Sequence, residues 1–168
     1  MLHAGQNRQS AVKNGFSLIE VLLAILLVGL AIASLVAANI AFTRANGAGT
    51  DLSTAEFLIE QIRELTILLP VVDPQSSTTT FGPEEMVLAN YDDLDDFDGA
   101  VFCPPISSGR VALSDFSAFS QRVTVENVSS SNFQQVVADH SSPFVRVTVK
   151  VFLNSKEISS ASWIRARY

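Results

Sequence analysis

At 168 residues, with 17 acidic against 11 basic side chains and a formal net charge of −6, the chain has room for one ordinary domain. That charge balance leaves too few clustered cations for nucleic acid to be a main partner. Hydrophobic residues make up 48%, and a single cysteine, Cys103, excludes an internal disulfide framework, so the globular part must be held by packing or by contacts between subunits.

The first fifteen residues carry Arg8 and Lys13, no acid, and end in Gly15. An apolar run follows: the eighteen residues from Val21 to Ala38 have Ser34 as their only polar side chain, and Phe16, Leu18 and Ile19 extend the run upstream past one carboxylate, Glu20. A bilayer core takes about 20 apolar helical residues, because every backbone N–H and C=O in lipid must be paired within the segment, so this is a candidate spanning helix. A cleavable secretory signal has an apolar core of roughly 7 to 15 residues followed by its cleavage site, whereas here the glycine comes first. An acid at a membrane helix centre is unfavourable by roughly 2.5 to 3.5 kcal/mol, so Glu20 either reaches the headgroups or pairs with a cation that arrives on assembly. Arg8 and Lys13 ahead of the run predict a cytoplasmic N-terminus, with residues beyond about 40 outside.

The stretch Lys13-Asn14-Gly15-Phe16-Ser17-Leu18-Ile19-Glu20-Val21 resembles the prepilin leader of type IV pilins and of the pseudopilins of type II secretion systems. Several expectations follow from the resemblance. A prepilin peptidase would cut between Gly15 and Phe16 on the cytoplasmic side and methylate the new amine of Phe16. Glu20 would be the assembly carboxylate, paired with that amine on a neighbouring subunit. The partners would be other pilin or pseudopilin subunits, met through the N-terminal helix, together with the peptidase, the membrane and an inner-membrane assembly platform. The protein would reside in the bacterial inner membrane and then in a pilus or pseudopilus. Removing residues 1–15 takes away Arg8 and Lys13 and leaves a side-chain charge of −8.

Beyond Ala38 the pattern becomes amphipathic. Leu52, Ala55, Ile59, Ile62, Leu65 or Thr66, and Leu69 recur at three- and four-residue spacing, with Glu56, Glu60, Arg63 and Glu64 largely opposite. The expectation is one helix over 16–69, roughly 80 Å long, stopped by Pro70 and Asp73-Pro74. Residues 16–40 would be its membrane or filament-core half and 41–70 its amphipathic half. Gly29, Gly47 and Gly49 each cost about 1 kcal/mol relative to Ala and mark either tolerated small residues or kinks. The pilin resemblance implies local unwinding near such glycines when a filament packs.

Residues 71–118 read as a loop region, with a polar run at Ser76–Thr80, a turn signal at Gly82-Pro83, and Cys103-Pro104-Pro105. Within it lies Tyr91-Asp92-Asp93-Leu94-Asp95-Asp96-Phe97-Asp98-Gly99. Two readings apply. One is a solvated acidic loop with Tyr91, Leu94 and Phe97 turned inward. The other is a calcium loop with Asp92, Asp93, Asp95, Asp96 and Asp98 as candidate ligands, since hard cations take clustered carboxylate oxygens. It is not an EF-hand: setting Gly99 at that loop's glycine puts Leu94 at the first ligand position and Pro105 at the final Glu. The stretch also resembles a segment of some minor pilins, including those of mannose-sensitive haemagglutinin pili. Apart from this calcium candidate, no metal and no cofactor is expected.

Residues 119–168 read as antiparallel sheet. Val123, Val125 and Val128 oppose Arg122, Thr124 and Glu126, while Val145, Val147, Val149 and Val151 alternate strictly with Arg146, Thr148, Lys150 and Phe152. Asn154-Ser155-Lys156 turns the chain. It returns with Ile158, Ser160, Ser162 and Ile164 on one side and Ser159, Ala161, Trp163 and Arg165 on the other. A third or fourth strand would come from Val111–Leu113 or Phe133–Val137. The valine face and the amphipathic helix face each need a cover and supply one another. The expected fold is therefore α+β and type IV pilin-like, with a long N-terminal helix packed on a C-terminal antiparallel sheet of three to four strands.

Catalytic constellations are missing. His3 lies in the leader and His140 stands alone, Cys103 has no histidine beside it in sequence, and no phosphate-cradling glycine loop is present. No enzyme is expected. The reading is a minor type IV pilin-like filament subunit. Three alternatives stay open: a minor pseudopilin of a type II secretion system, an uncleaved bitopic membrane protein with an external binding module, and a DNA-capturing pilin using Arg146, Lys150, Arg165 and Arg167. The net charge opposes the last of these.

Overall fold

The structure is a computed structural model that describes residues 15–72 and 81–167. The leader before Gly15 and the Asp73-Pro74 and Ser76–Thr80 segments lie outside those residues. In chain order the elements are α1 (Leu18–Thr66), β1 (Val101–Phe102), β2 (Phe119–Ser129), β3 (Asn132–Val136), β4 (Phe144–Leu153) and β5 (Lys156–Ala166), with single 3-10 turns at Leu88–Asn90, Asp95–Phe97 and Ser114–Phe116. This is the expected α+β layout of one long helix and an antiparallel sheet. Among the described residues the sheet has five strands rather than three or four, in the order β1-β2-β4-β5 with β3 paired to β2.

The chain divides into two compact units, one ending at Asn46 and one beginning at Gly47. The described part of the first is helix from Leu18 onward, exposed throughout, and α1 is long and apolar enough to cross a membrane by length and composition. Gly29, Gly47 and Gly49 all lie inside α1, so each is a small residue within the helical span.

In the second unit the buried helical stripe is Ala55, Leu58, Ile59, Ile62 and Thr66, whose three- and four-residue steps keep it on one narrow face. Leu52, expected in the stripe, is exposed; Leu58, not expected there, is fully buried. The helix ends three residues before Leu69, and Pro70 explains why. Its ring has no N–H to give the carbonyl four residues back, which is that of Thr66, and would collide with it in a continued helix.

Opposite that stripe stands the valine ladder. Val145, Val147, Val149 and Val151 of β4 are all buried, with Val123 beside Val149 and Val125 beside Val147 on β2. Burial of a side chain of this size contributes about 1.5–3 kcal/mol, and the ladder repeats it at every second residue. β5 brings Arg165, Trp163, Ala161 and Ser159 into register with the four valines in turn, so these side chains share the face that meets the helix. The β4–β5 connection is a two-residue turn, Asn154-Ser155, with φ of 49° and 68°, the geometry that joins twisted strands tightly. Lys156 already belongs to β5.

Two expectations about the loop region are corrected. Val111–Leu113 forms no strand, and its only ladder contact is an isolated bridge from Ala112 to Ile106. The additional strand is β1, a two-residue segment inside the region read as loop, held by pairing with Gln121 and Arg122. Gln121 sits at a valine-face position of β2 and is fully buried. Its Oε1 accepts the N–H of Ile106 at 2.8 Å, and its Nε2 donates to the carbonyls of Leu58 at 2.8 Å and Ile106 at 3.2 Å. One amide thus ties helix, loop and sheet together.

Candidate functional site

Two regions carry the residues singled out from sequence. At the N-terminal end of α1, the Ser17 hydroxyl accepts the N–H of Glu20 at 3.3 Å, and the Ser17 carbonyl accepts the N–H groups of Glu20 and Val21 at 3.1 and 3.3 Å. Ser17 is therefore the N-cap, and Glu20 lies in the first turn, where the positive end of the helix dipole favours a carboxylate. Gly15 and Phe16 precede the helix, so the bond between them lies outside the hydrogen-bonded backbone, and Phe16 is 83% exposed. Among the described residues Glu20 makes no ion pair. From Phe16 through Ile40 and Phe42, the large apolar side chains of this region stand exposed.

The second region is the acidic segment, and it is not solvated as its composition suggests. Leu94 and Phe97 are fully buried, drawn in by the Leu94 N–H bond to the Pro70 carbonyl at 2.9 Å and by edge-on contact between Phe97 and Tyr91 at 5.2 Å. The 3-10 turn between them carries the aspartates inward as well: Asp93, Asp95 and Asp96 are 0%, 1% and 0% exposed. Asp96 Oδ2 accepts the N–H groups of Asp92 at 3.0 Å and Asp93 at 3.4 Å, while Asp93 Oδ1 accepts that of Asp96 at 3.1 Å. Arg110, at φ 62°, faces this segment but donates to the backbone carbonyls of Leu88, Ala89 and Tyr91 rather than to the acids.

Among the described residues, the carboxylate oxygens Asp93 Oδ2, Asp95 Oδ1, Asp96 Oδ1 and Glu85 Oε2 are buried with no hydrogen-bond partner. No ion pair among the described residues reaches Asp93, Asp95 or Asp96. Burial, reinforced by the adjoining Asp93, pushes the Asp95 carboxyl up to about 9. Burial also raises Asp93, while the neighbouring Asp96 carboxylate, followed by desolvation, lifts Glu85 to about 7. Oxygens of Asp92, Asp93 and Asp96 lie within 4.8 Å of one another, and so do those of Glu84, Glu85 and Asp96.

The structure thus brings Asp92, Asp93 and Asp96 together and leaves Asp98 apart. Asp98 Oδ1 accepts the N–H of Val125 at 2.8 Å and joins the loop to β2. Glu84 and Glu85 are the acids that sequence reasoning missed. Gly82-Pro83 had marked only a turn there, although two adjacent glutamates directly after it were a usable signal. Cys103 is exposed and lies outside both carboxylate groups. Comparison with protein-family models, with curated proteins and with solved structures finds no match to this chain.

Proposed function

We propose that the chain is a filament subunit of the type IV pilin kind, a minor pilin cut between Gly15 and Phe16, N-methylated at Phe16, and held in the inner membrane by α1 until it is assembled. It acts by packing, not by catalysis. The observation that carries this reading is an apolar helix exposed along its whole N-terminal part and capped by Ser17 directly after a Gly-Phe bond that lies outside the helix. A bond outside the helix suits a peptidase, and exposed apolar side chains suit lipid first and neighbouring helices afterwards. Glu20 supports the same reading. Its carboxylate has no cation among the described residues, and the amine that cleavage creates at Phe16 of an adjacent subunit would supply one.

The experiment is the intact mass and N-terminal sequence of the protein recovered from membranes that contain a prepilin peptidase, beside a Gly15→Leu variant. A chain beginning at methylated Phe16, with the variant uncut, is the expected result. A chain still beginning at Met1 overturns the reading and leaves an anchored protein with an external module.

A further inference from the structure

The geometry points to a calcium site in the loop between α1 and the sheet: we propose that Glu85, Asp93 and Asp96 bind one Ca2+ ion, with Asp92 and Glu84 completing its oxygen shell. This inference is independent of the filament reading.

It rests on two observations that do not depend on each other. The first is convergence: five acids from two separate stretches of the loop form two triads, each with oxygens within 4.8 Å of one another, and Asp96 belongs to both. Within each triad that spacing fits across a single ion with bonds of about 2.3–2.6 Å. The second is that the two innermost acids, Asp93 and Asp96, are turned inward with an oxygen of each left unanswered. Asp93 and Asp96 are fully buried, and each directs one oxygen to no protein donor, as does Glu85. A solvated acidic patch would expose those oxygens, and a structural hydrogen-bond network would answer them with N–H groups or guanidinium. Arg110, whose bonds reach this loop, is spent on the carbonyls of Leu88, Ala89 and Tyr91. Burial of several carboxylates without a counter-charge is strongly unfavourable, and a divalent cation removes the penalty.

The donor set selects the ion. All five ligands offer carboxylate oxygen, with no imidazole or thiolate among them, which disfavours zinc and copper. Calcium accepts six to eight such oxygens in flexible geometry, whereas magnesium keeps several waters and rarely takes a cage built from protein alone. A bound ion would lock the loop against the helix end through Leu94 and Pro70, and against β2 through Asp98 and Val125.

The test uses the full chain in detergent micelles, stripped with EDTA and titrated with CaCl2 by calorimetry, with thermal unfolding in parallel. Terbium luminescence adds a local readout, since Tyr91 packs on Phe97 within the same loop and can sensitise a lanthanide there. Saturable binding with a dissociation constant on the order of 10⁻⁴ M, as in extracellular calcium modules, is expected, with a higher melting temperature and no comparable response to MgCl2. Asp96→Asn and Glu85→Gln should each weaken binding roughly tenfold or more, whereas Asp115→Asn, outside the cluster, should not. If Asp96→Asn fails to fold, Glu85→Gln, at a partly exposed position, carries the same requirement. Absence of saturable binding to the wild-type chain overturns the proposal, and so does binding that survives in Glu85→Gln and in any folded Asp96→Asn.

Discussion

Arg165 in the last strand donates to the carbonyl oxygen of Thr66 at 2.6 Å and to that of Leu69 at 2.9 Å, so the C-terminal end of α1 is capped by a side chain about a hundred residues further along. Pro70 cannot give Thr66 the N–H of a continued helix, and the Leu69 N–H reaches that carbonyl at only 3.3 Å, so the guanidinium adds a second, closer donor to it. A guanidinium is suited to the task because its fixed fork meets two acceptors at once, and its positive charge lies at the negative end of the helix dipole. Arg63 adds a second link, its guanidinium 4.8 Å above the Trp163 ring on the same strand.

Arg165→Ala should therefore lower stability by about 1.5–3 kcal/mol, the range for hydrogen bonds to a charged group, in urea unfolding of the full chain in micelles. Arg165→Lys should recover only part of it, because a single ammonium cannot match the fork. A loss below about 0.5 kcal/mol for the alanine variant would mean that water serves the two carbonyls equally well.

Gln121 makes a comparable prediction from inside the core. Replacing it with Leu keeps the volume and removes both partners' bonds, leaving the Ile106 N–H buried without its acceptor, at a cost of about 1–3 kcal/mol. Gln121→Glu should be worse, since a carboxylate cannot donate to the Leu58 carbonyl and would be ionised in a fully buried place. Unfolding midpoints in the order wild type, Leu, Glu are the expected outcome; a glutamate variant as stable as wild type would contradict the bonding described.

How much of this was legible beforehand follows from the range of the forces involved. Val145 to Val151 announce their buried face by strict alternation, and Ala55, Ile59 and Ile62 by helical spacing, because both periods are local properties of the backbone. The alternation of β5 was readable too, although it left open whether the side of Ile164 or that of Trp163 and Arg165 meets the helix. Gln121 was not, because a polar side chain at a core position is told from a surface one only by partners that lie 15 and 63 residues away. Of the two readings of the aspartates, the solvated one was right about Leu94 and Phe97 and fails for Asp93, Asp95 and Asp96 for a similar reason. Composition makes such a run look solvated, yet Leu94 and Phe97, three residues apart, pull the turn inward and take Asp95 and Asp96 with them. Glu85 joins Asp96 across a separate turn, and no spacing rule within the Asp-rich stretch could include it.

In chelator, the same acids set a pH dependence. Asp95 is raised to about 9 and Glu85 to about 7, so the folded chain holds protons that the unfolded chain has already released at those pH values. The stability from the protonated groups is fully present below the ordinary carboxylate range and is lost as pH rises through the raised values. Unfolding in EDTA should thus become easier between about pH 5 and 9, and Asp95→Asn should flatten the profile. Stability that rises with pH across that interval would contradict the direction of these shifts.

Glu20 provides the prediction that bears most directly on assembly. In the single chain it lies exposed in the first turn of α1, so removing it should leave the fold after Gly47 and cleavage at Gly15-Phe16 intact. In a filament core of packed apolar helices the amine at Phe16 would be desolvated, and losing its carboxylate partner there costs on the order of 3–5 kcal/mol. Glu20→Ala should accordingly be processed and methylated as the wild type is, but accumulate in the membrane fraction and be depleted from sheared filaments. Glu20→Gln separates charge from shape: it can accept a hydrogen bond from the amine but cannot neutralise it, and should fail nearly as badly. Normal incorporation of both variants would show that the carboxylate serves only the first turn of the helix, beside Ser17.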